Sequence, residues 1–303
     1  MADPPTGVQR DYPLARLTTI RTGGAAELFA RPGSLPELEA LLAWAREEEL
    51  QVGVVGSGSN LLVADAGVPG LVLKLDKELS TIELEDTHIH CGGAARLPTV
   101  AARAAQAGLV GLEFGVSIPG TVGGAVRMNA NAYGGELARV LEWVDIATGS
   151  GTVRRSPSEL GFAYRRSSLG PYDIVAFAAF NLTRGEPSEV KATLADLRAR
   201  RKAAQPVGVK TFGSTFKNPG GNGGRTAGQL LDEAGCRELR VGGAGFSEKH
   251  ANFVVNHGGA STEDVVAVMA EGWRRVRERF GVELEPEVQA LGPVEFPAEW
   301  NLG

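Results

Sequence analysis

The stretch from Phe114 to Glu136 reads FGVSIPGTVGGAVRMNANAYGGE, with glycines at 115, 120, 123, 124, 134 and 135 and no charged residue before Arg127. Without a Cβ, a glycine lets a ligand or a second backbone approach the peptide N–H groups closely. Pro119 sets a turn just before Gly120, and the more helix-tolerant AVRMNAN follows. A glycine loop that runs into a helix start suits a pyrophosphate, because unpaired N–H groups point at it. Glycine content alone serves a tight packing loop equally well, so the rest of the chain has to decide.

A second loop of this kind lies upstream. The expected strand 51–55 ends in Gly56-Ser57-Gly58-Ser59-Asn60-Leu61, small residues and hydroxyls beside open amides. It is neither a P-loop, since no GK[ST] follows, nor GxGxxG, and alone it reads as a plain turn. A third polar turn, Thr18-Thr19-Ile20-Arg21-Thr22-Gly23-Gly24, precedes it. Three such loops without a lysine suit a dinucleotide whose diphosphate is met by backbone amides.

Composition narrows the class. The 303 residues, 43% of them hydrophobic, are enough for two or three domains with full cores. Thirty-one basic residues are scattered against 36 acidic ones, net −5, which argues against a nucleic-acid surface. The start, MADPPTGVQRDY, has no apolar signal region, and no apolar run approaches the ~18 residues of a membrane span, so neither secretion nor a membrane is expected. Cys91 and Cys236 stand far apart with no CxxC pair, which fits a reducing cytoplasm. His88, His90, His250 and His257 make no metal set; the first two alternate along an expected strand.

The elements follow in order. A strand at 27–31 leads to a helix capped by Ser34, with Glu37 three residues on and Leu38, Leu41, Leu42 and Ala45 as its apolar stripe. Segments 70–75, 80–85 and 87–92 read as antiparallel strands, and 97–108 as an alanine-rich helix ending at Gly108. A hairpin is expected over 140–148 and 151–155, a short capped helix at Ser156-Pro157-Ser158-Glu159, a long apolar strand at 174–182, and a helix over 187–204 with a basic end. After a composition shift at Gln205-Pro206 come the glycine loop GGNGG, a helix over 226–234, the strand FVVNHG, a helix from Ser261 or Thr262 to Phe280, and a final strand over 282–291. The last dozen residues carry no periodicity and read as an extension.

Several side chains suit chemistry without proving it. Arg165 and Arg166 stand in the run FAYRRSS; a forked guanidinium there could clamp a carboxylate or simply pair at the surface. Ser214 lies in a GST turn with no GxSxG elbow or partner histidine, so it is not a hydrolase nucleophile. Glu285 and Glu287 lie two apart, on one face of the expected strand. Lys217, Lys249 and His250 could hold phosphate or be scattered surface charge.

Taken together, VVGSGSNLLVAD, GVSIPGTVGGAVRMNANAYGGE, FAYRRSS, GSTFKNP, SEKHANFVVN and LEPEV, in this order over roughly 17–292, resemble the UDP-N-acetylenolpyruvoylglucosamine reductases (UDP-N-acetylmuramate dehydrogenases, MurB), in the shorter subtype lacking an inserted tyrosine loop. The resemblance implies an α+β fold: FAD-binding parts of the vanillyl-alcohol-oxidase type at 1–66 and 67–205, a substrate-binding α+β domain at 206–292 and an extension at 293–303. It implies non-covalent FAD, with NADPH as co-substrate and a UDP-sugar as substrate, in a cytoplasmic and monomeric enzyme of peptidoglycan synthesis. It assigns the cofactor to Gly56, Ser57, Gly58, Ser59, Asn60, Leu61, Ser117, Ile118, Pro119, Gly120, Thr121, Gly123, Gly124 and Asn129. It assigns the substrate to Lys217, Asn218, Gln229, Lys249, His250 and Asn252. Arg165 becomes the carboxylate clamp, Ser214 the proton donor and Glu287, by its place before valine, the polarising acid. One departure stands out: the family commonly has glycine where Asn131 stands.

Overall fold

The structure, a computed structural model, describes residues 4–220 and 224–300, which pack into two units. The first holds residues up to Arg10, Glu27–Ser57 and Pro69–Arg201; the second holds Asp11–Ala26, Gly58–Val68 and the chain from Lys202 on. Boundaries expected at 66/67 and 205/206 cut along the sequence, whereas packing places 11–26 and 58–68 in the same unit as the C-terminal third.

In the first unit an antiparallel sheet runs in the order Gly151–Arg155, Leu141–Thr148, Ile174–Asn181, His88–Gly92, Ile82–Glu85. The expected hairpin about Gly149-Ser150 is present. Val68–Leu73 is not the antiparallel neighbour that was expected. It lies parallel to Val52–Val54 in another sheet, of order Gln9–Pro13, Ala25–Ala30, Val68–Leu73, Val52–Val54. The physical reason is visible in its burial: nearly every residue is buried on both faces, the habit of a parallel strand rather than a half-exposed antiparallel one.

Helices cover both faces of the five-stranded sheet. Helix α1 (Leu35–Glu47) starts where Ser34 accepts the Glu37 N–H, with Pro36 in the first turn. Its stripe Leu38, Leu41, Leu42 and Ala45 packs with Leu71 and Leu73 and with Ala147, Ile174 and Ala176 of the sheet. On the opposite face lies α2 (Leu97–Gln106), whose Val100, Ala101, Ala104 and Ala105 meet Ile89, Cys91, Val144, Ile146 and Phe180. The short α3 (Val122–Arg127) and the long α4 (Pro187–Ala204) complete that core through Val122, Val126, Val190, Leu194 and Leu197.

One irregularity in the sheet fixes the position of α3. Asp145 pairs with Phe177 but Ile146 with Val175, so Ala176 is an extra residue, a β-bulge. The Ala176 carbonyl accepts the Gly93 N–H at 2.7 Å, and the Gly93 carbonyl accepts the Gly123 N–H at 2.8 Å. Backbone thus touches backbone from the sheet into α3. A Cβ on Gly93 would lie 1.9 Å from the Val175 carbonyl oxygen.

In the second unit the sheet order is Thr211–Ser214, Phe253–Asn256, Ala244–Phe246, Arg240–Val241, all antiparallel. Helices α5 (Ala227–Glu233) and α6 (Thr262–Phe280) share its core with Phe212, Phe216, Phe246, Val254, Met269, Trp273 and Val276. Ser261 caps α6 in a capping box with Asp264, and Gly281 ends it in the left-handed region at φ 65°. The expected strand over 282–291 is regular only at Gln289–Leu291, parallel to Leu61–Val63. Upstream, a single bridge joins Pro286 to Phe216; its two bonds come from the flanking Lys217 and Glu287 N–H groups, so a proline is accommodated there. Part of the GGNGG loop, 221–223, lies outside the described residues, as do 301–303. The rest of the expected extension packs: Val294, Phe296 and Trp300 belong to the second core.

Gly93→Ala is expected to destabilise the chain by about 2 kcal/mol through overpacking. Urea unfolding against the parent protein checks it; an unchanged midpoint would refute the backbone contact as a constraint.

Candidate active site

In the first unit the glycine stretch leaves open space at Gly120. Thr121 caps α3, its Oγ1 accepting the Gly124 N–H at 3.4 Å, while Leu97 N–H binds the Gly120 carbonyl at 3.0 Å. These bonds leave the N–H groups of Gly120 and Thr121 without a hydrogen-bond partner among the described residues. Nothing lies within 4 Å of where a Gly120 Cβ would stand. Gly56 comes against the same place, since a Cβ there would lie 2.6 Å from Thr121 Oγ1. Gly56, Gly120, Thr121, Gly123 and Gly124 are therefore brought together, as the sequence suggests.

A lysine does stand at this loop, although none lies within it. Lys74 Nζ donates to the Gly56 carbonyl at 2.6 Å. Burial, then the neighbouring Arg31, lowers its pKa; Asp76 opposes and Arg96 adds to the lowering. Lys74 is 18 residues away, just past the end of the strand Val68–Leu73, so no local motif contains it. Its only signal is a lone cation in the apolar run GLVLKL. Among the other expected cofactor residues, Ser117 is buried and its Oγ bonds the Leu197 carbonyl at 3.3 Å, and Ile118 packs at the edge of the core. Ser57 and Pro119 flank the open amides in sequence.

Gly58, Ser59, Asn60 and Leu61 belong to the second unit. Gly58, at φ 65°, offers its carbonyl to the Thr19 N–H and Oγ1, both at 3.0 Å. A Cβ at Gly58 would lie 2.0 Å from the Leu17 carbonyl oxygen, so the third polar turn is what this half of the loop packs on. Asn60 Nδ2 donates to the Glu287 carbonyl at 3.1 Å, and the Asn60 carbonyl accepts the Gln289 N–H at 3.1 Å.

Arg165 sits in the first unit on a tight turn closed by paired bonds between Ala163 and Arg166. Its φ of 55° is unusual for a residue with a side chain, and such strain persists only where surroundings over-determine it. Those surroundings are specific. The buried Asn129 spends Nδ2 on Glu136 Oε1 at 2.7 Å and the Ala163 carbonyl at 3.3 Å, and its Oδ1 on the Ala138 N–H. Arg127 donates to the carbonyls of Leu169, Gly170 and Asp173, and the Ser167 hydroxyl returns to the Arg127 carbonyl. Burial lowers the Arg127 pKa, with Asp173 opposing. Asn129 thus serves the Arg165 turn with its side chain; Arg127 went unnoticed because the bonds it makes lie some 40 residues ahead. Arg165 Nη1 reaches the Asn131 carbonyl at 3.4 Å. Asn131 itself pairs in a small hairpin with Glu136, and the positive φ values fall on Asn129, Tyr133 and Gly134, so asparagine in place of glycine meets no backbone conflict there.

In the second unit Ser214 ends its strand opposite Phe253. Further along the same segment, Lys217 N–H binds the Glu285 carbonyl at 2.8 Å, and Glu287 N–H binds the Thr215 carbonyl at 2.9 Å. Ser214 and Glu287 therefore ride on adjoining segments. Lys217 Nζ forms an ion pair with Glu285. Asn252, buried, plays the part of a missing strand: Oδ1 accepts the Phe216 N–H at 2.9 Å and Nδ2 donates to the Phe216 carbonyl at 2.8 Å. Asn218 Oδ1 accepts the Ala227 N–H at 3.1 Å, Gln229 completes a capping box with Thr226, and Lys249 Nζ binds the Lys202 carbonyl at 2.6 Å. His250 Nδ1 accepts the Asn252 N–H at 3.2 Å, and its ring stands edge-on to Phe253 at 4.8 Å. Burial, then Arg237, lowers its pKa, so neutral imidazole is favoured. No group of three or more metal-ligating side chains occurs among the described residues.

Comparison with known proteins places these features. Residues 205–291 match the family model of the UDP-N-acetylenolpyruvoylglucosamine reductase C-terminal domain, and 26–156 match an FAD-binding domain model. The chain is 45% identical over 283 residues to the UDP-N-acetylenolpyruvoylglucosamine reductase of Acidiphilium cryptum, covering 93% of this chain and 90% of that one. It is 42% identical to reductase 2 of Symbiobacterium thermophilum, covering 95% and 93%. The crystal structure of the Thermus caldophilus reductase superposes with a TM-score of 0.82 at 39% identity, covering 94% of this chain and 98% of that one.

Asn252→Ala would leave the buried Phe216 N–H and C=O unpaired. A loss of about 2–4 kcal/mol in denaturant unfolding is expected, with partial recovery in Asn252→Asp, which keeps only the acceptor.

Proposed function

We infer what each part of this site does from one premise: the chain belongs to the UDP-N-acetylenolpyruvoylglucosamine reductase family. It is an FAD-dependent oxidoreductase, and it reduces UDP-N-acetylenolpyruvoylglucosamine to UDP-N-acetylmuramate with NADPH, a step in peptidoglycan precursor synthesis. The α+β architecture stands as expected, an FAD-binding fold of the vanillyl-alcohol-oxidase type followed by a C-terminal domain.

The residues around Gly120 fit FAD on their own chemistry. Unpartnered N–H groups at Gly120 and Thr121 and the empty space above Gly120 form a cradle that a Cβ would fill. A diphosphate carries about two negative charges, which peptide N–H groups and a nearby cation can meet. Lys74 donates to the Gly56 carbonyl and so brings a cation to the loop that rests against Thr121. Bound FAD supplies a carrier for hydride between NADPH and the enolpyruvyl group. Attachment is non-covalent in this reading: Cys91 is buried, its thiol pushed up to about 12 by burial.

Reduction at the terminal methylene carbon leaves negative charge on the substrate's α-carbon and carboxylate. A fixed cation aimed at that carboxylate stabilises it where it develops. Arg165 has the guanidinium for this, on a turn that Asn129 and Arg127 hold. The α-carbon then needs a proton from a placed donor. Ser214 is that donor; a hydroxyl is a weak acid and gives its proton only to a strongly basic, carbanion-like carbon. Glu287 polarises the charged group as an acid, a role Glu285 cannot fill while paired with Lys217. The observation that carries this reading is the Glu287–Thr215 backbone bond, which sets Glu287 beside the residue after Ser214. Lys217, Lys249 and His250 remain the residues suited to the UDP-sugar phosphates, whereas Asn218, Gln229 and Asn252 shape the segments around them.

In this reading the enzyme works as a cytoplasmic monomer without nucleic acid or membrane. The net charge of −5 fits the lack of a nucleic-acid surface, and among the described residues no helix is long and apolar enough to cross a membrane.

Two measurements test the assignments. In Ser214→Ala, anaerobic NADPH should bleach the flavin at the parent rate, while re-oxidation by the UDP-sugar enol ether slows by roughly 10²–10⁴; normal re-oxidation would remove serine from the mechanism. Lys74→Met should weaken FAD binding to the apoprotein by about tenfold with riboflavin binding unchanged, since riboflavin has no diphosphate, and Lys74→Arg should retain FAD.

A further inference from the structure

We propose that residues 293–300 are a strap that holds the Ser214–Lys217 segment in working register, with Trp300 as a positioning residue that acts through Phe216. The proposal rests on the roles assigned above to Ser214 and Glu287. The strap lies beyond residues 205–291, the part matched to the reductase C-terminal domain, and its sequence PVEFPAEW has no periodicity that would assign it a task.

Trp300 is buried, 5% exposed, in a nest of three aromatic rings. It meets Phe216 edge-on at 5.9 Å and 76°, Phe296 at 5.4 Å, and Trp273 of α6 at 6.5 Å. The strap's own backbone is folded to deliver the ring: Val294 N–H binds the Gly292 carbonyl at 2.9 Å, and Trp300 N–H binds the Pro297 carbonyl at 3.0 Å. The indole Nε1 is buried with no hydrogen-bond partner among the described residues. An unpaired buried N–H opposes burial, so ring packing, not a polar bond, is what holds Trp300 there.

Phe216 is where this packing meets the site. Its side chain is fully buried, and both its backbone groups are taken by the Asn252 carboxamide. Its neighbours on either side, Thr215 and Lys217, carry the two backbone bonds to Glu287 and Glu285. The Phe216 ring therefore cannot shift into new space without pulling on the bonds that align Ser214 with Glu287. Trp300 occupies that space. In a well-packed interior a removed ring leaves a cavity toward which its neighbours relax, and a misplacement of ~1 Å at reacting groups can cost ~10²-fold in rate.

The test separates the two half-reactions in the FAD-loaded enzyme by anaerobic stopped-flow absorbance. Trp300→Ala is expected to slow flavin re-oxidation by the UDP-sugar enol ether at least ~10-fold while flavin reduction by NADPH stays within ~2-fold, and Trp300→Phe is expected to restore most of the lost rate. In a Ser214→Ala background the Trp300 substitution should add little, because its effect passes through the serine. Unchanged half-reactions in folded Trp300→Ala would overturn the proposal. So would equal slowing of both, or full additivity with Ser214→Ala, since either marks a purely structural residue. If Trp300→Ala does not fold, Trp300→Leu and Phe296→Ala carry the same readings. Ser214→Ala alone keeps the two levels apart: normal re-oxidation there removes the serine assignment, whereas a slow Ser214→Ala beside a normal Trp300→Ala removes only the strap.

Discussion

Three backbones meet at Gly93 with no room for a side chain. The extra residue in the Ile174–Asn181 strand turns the Ala176 carbonyl toward the Gly93 N–H, and the Gly93 carbonyl in turn takes the N–H of Gly123. Hydrogen bonds of this kind contribute modestly one by one, but an unmade one in a buried place is costly. They therefore set where α3 begins. Because α3 begins there, Thr121 caps it, Gly120 faces open space and Gly56 can come to rest against the Thr121 hydroxyl. The open space at Gly120 is a consequence of this close approach of backbones rather than of any side chain.

The second unit solves a different problem with a similar economy. Between Ser214 and Lys217 the chain leaves its pairing with Phe253–Asn256 and meets the 285–287 segment through a single bridge, Phe216 to Pro286. The Asn252 carboxamide supplies what a strand would have supplied, one acceptor and one donor at the right spacing for Phe216. A polar side chain this buried is tolerated because every bond it can make to Phe216 is made. The aromatic nest around Trp300 then closes the remaining face. Several residues whose type suggests ligand binding are thus occupied in holding others: Asn129 under the Arg165 turn, Asn218 and Gln229 at the start of α5.

Much of the fold was legible. Caps at Ser34, Ser156 and Ser261, the hairpin at Gly149-Ser150 and the stop at Gly108 are local events, decided by a few adjacent residues. What misled was strand partnership. GLVLKL is apolar enough to be buried on both faces, yet alternation over six residues cannot reveal whether its neighbour is parallel or antiparallel. LEPEV reads as a strand by alternation, but it meets its neighbour through a single bridge, at Pro286.

By itself the sequence determined the class of chemistry: the order of GSGSN, SIPGTVGG, YRRSS, GSTFKNP and SEKHANF over most of the chain leaves one family. It also determined the local caps and turns, because their causes lie within a few residues. Only the tertiary structure showed that Glu285 pairs with Lys217, a cation 68 residues away in the sequence. Only it placed Lys74 at the Gly56 carbonyl, set the Asn252 carboxamide beside the Phe216 backbone, and gave the aperiodic segment after Gly292 a buried tryptophan. These are long-range contacts, and a residue's partner across the fold leaves no trace in the spacing of its own neighbours.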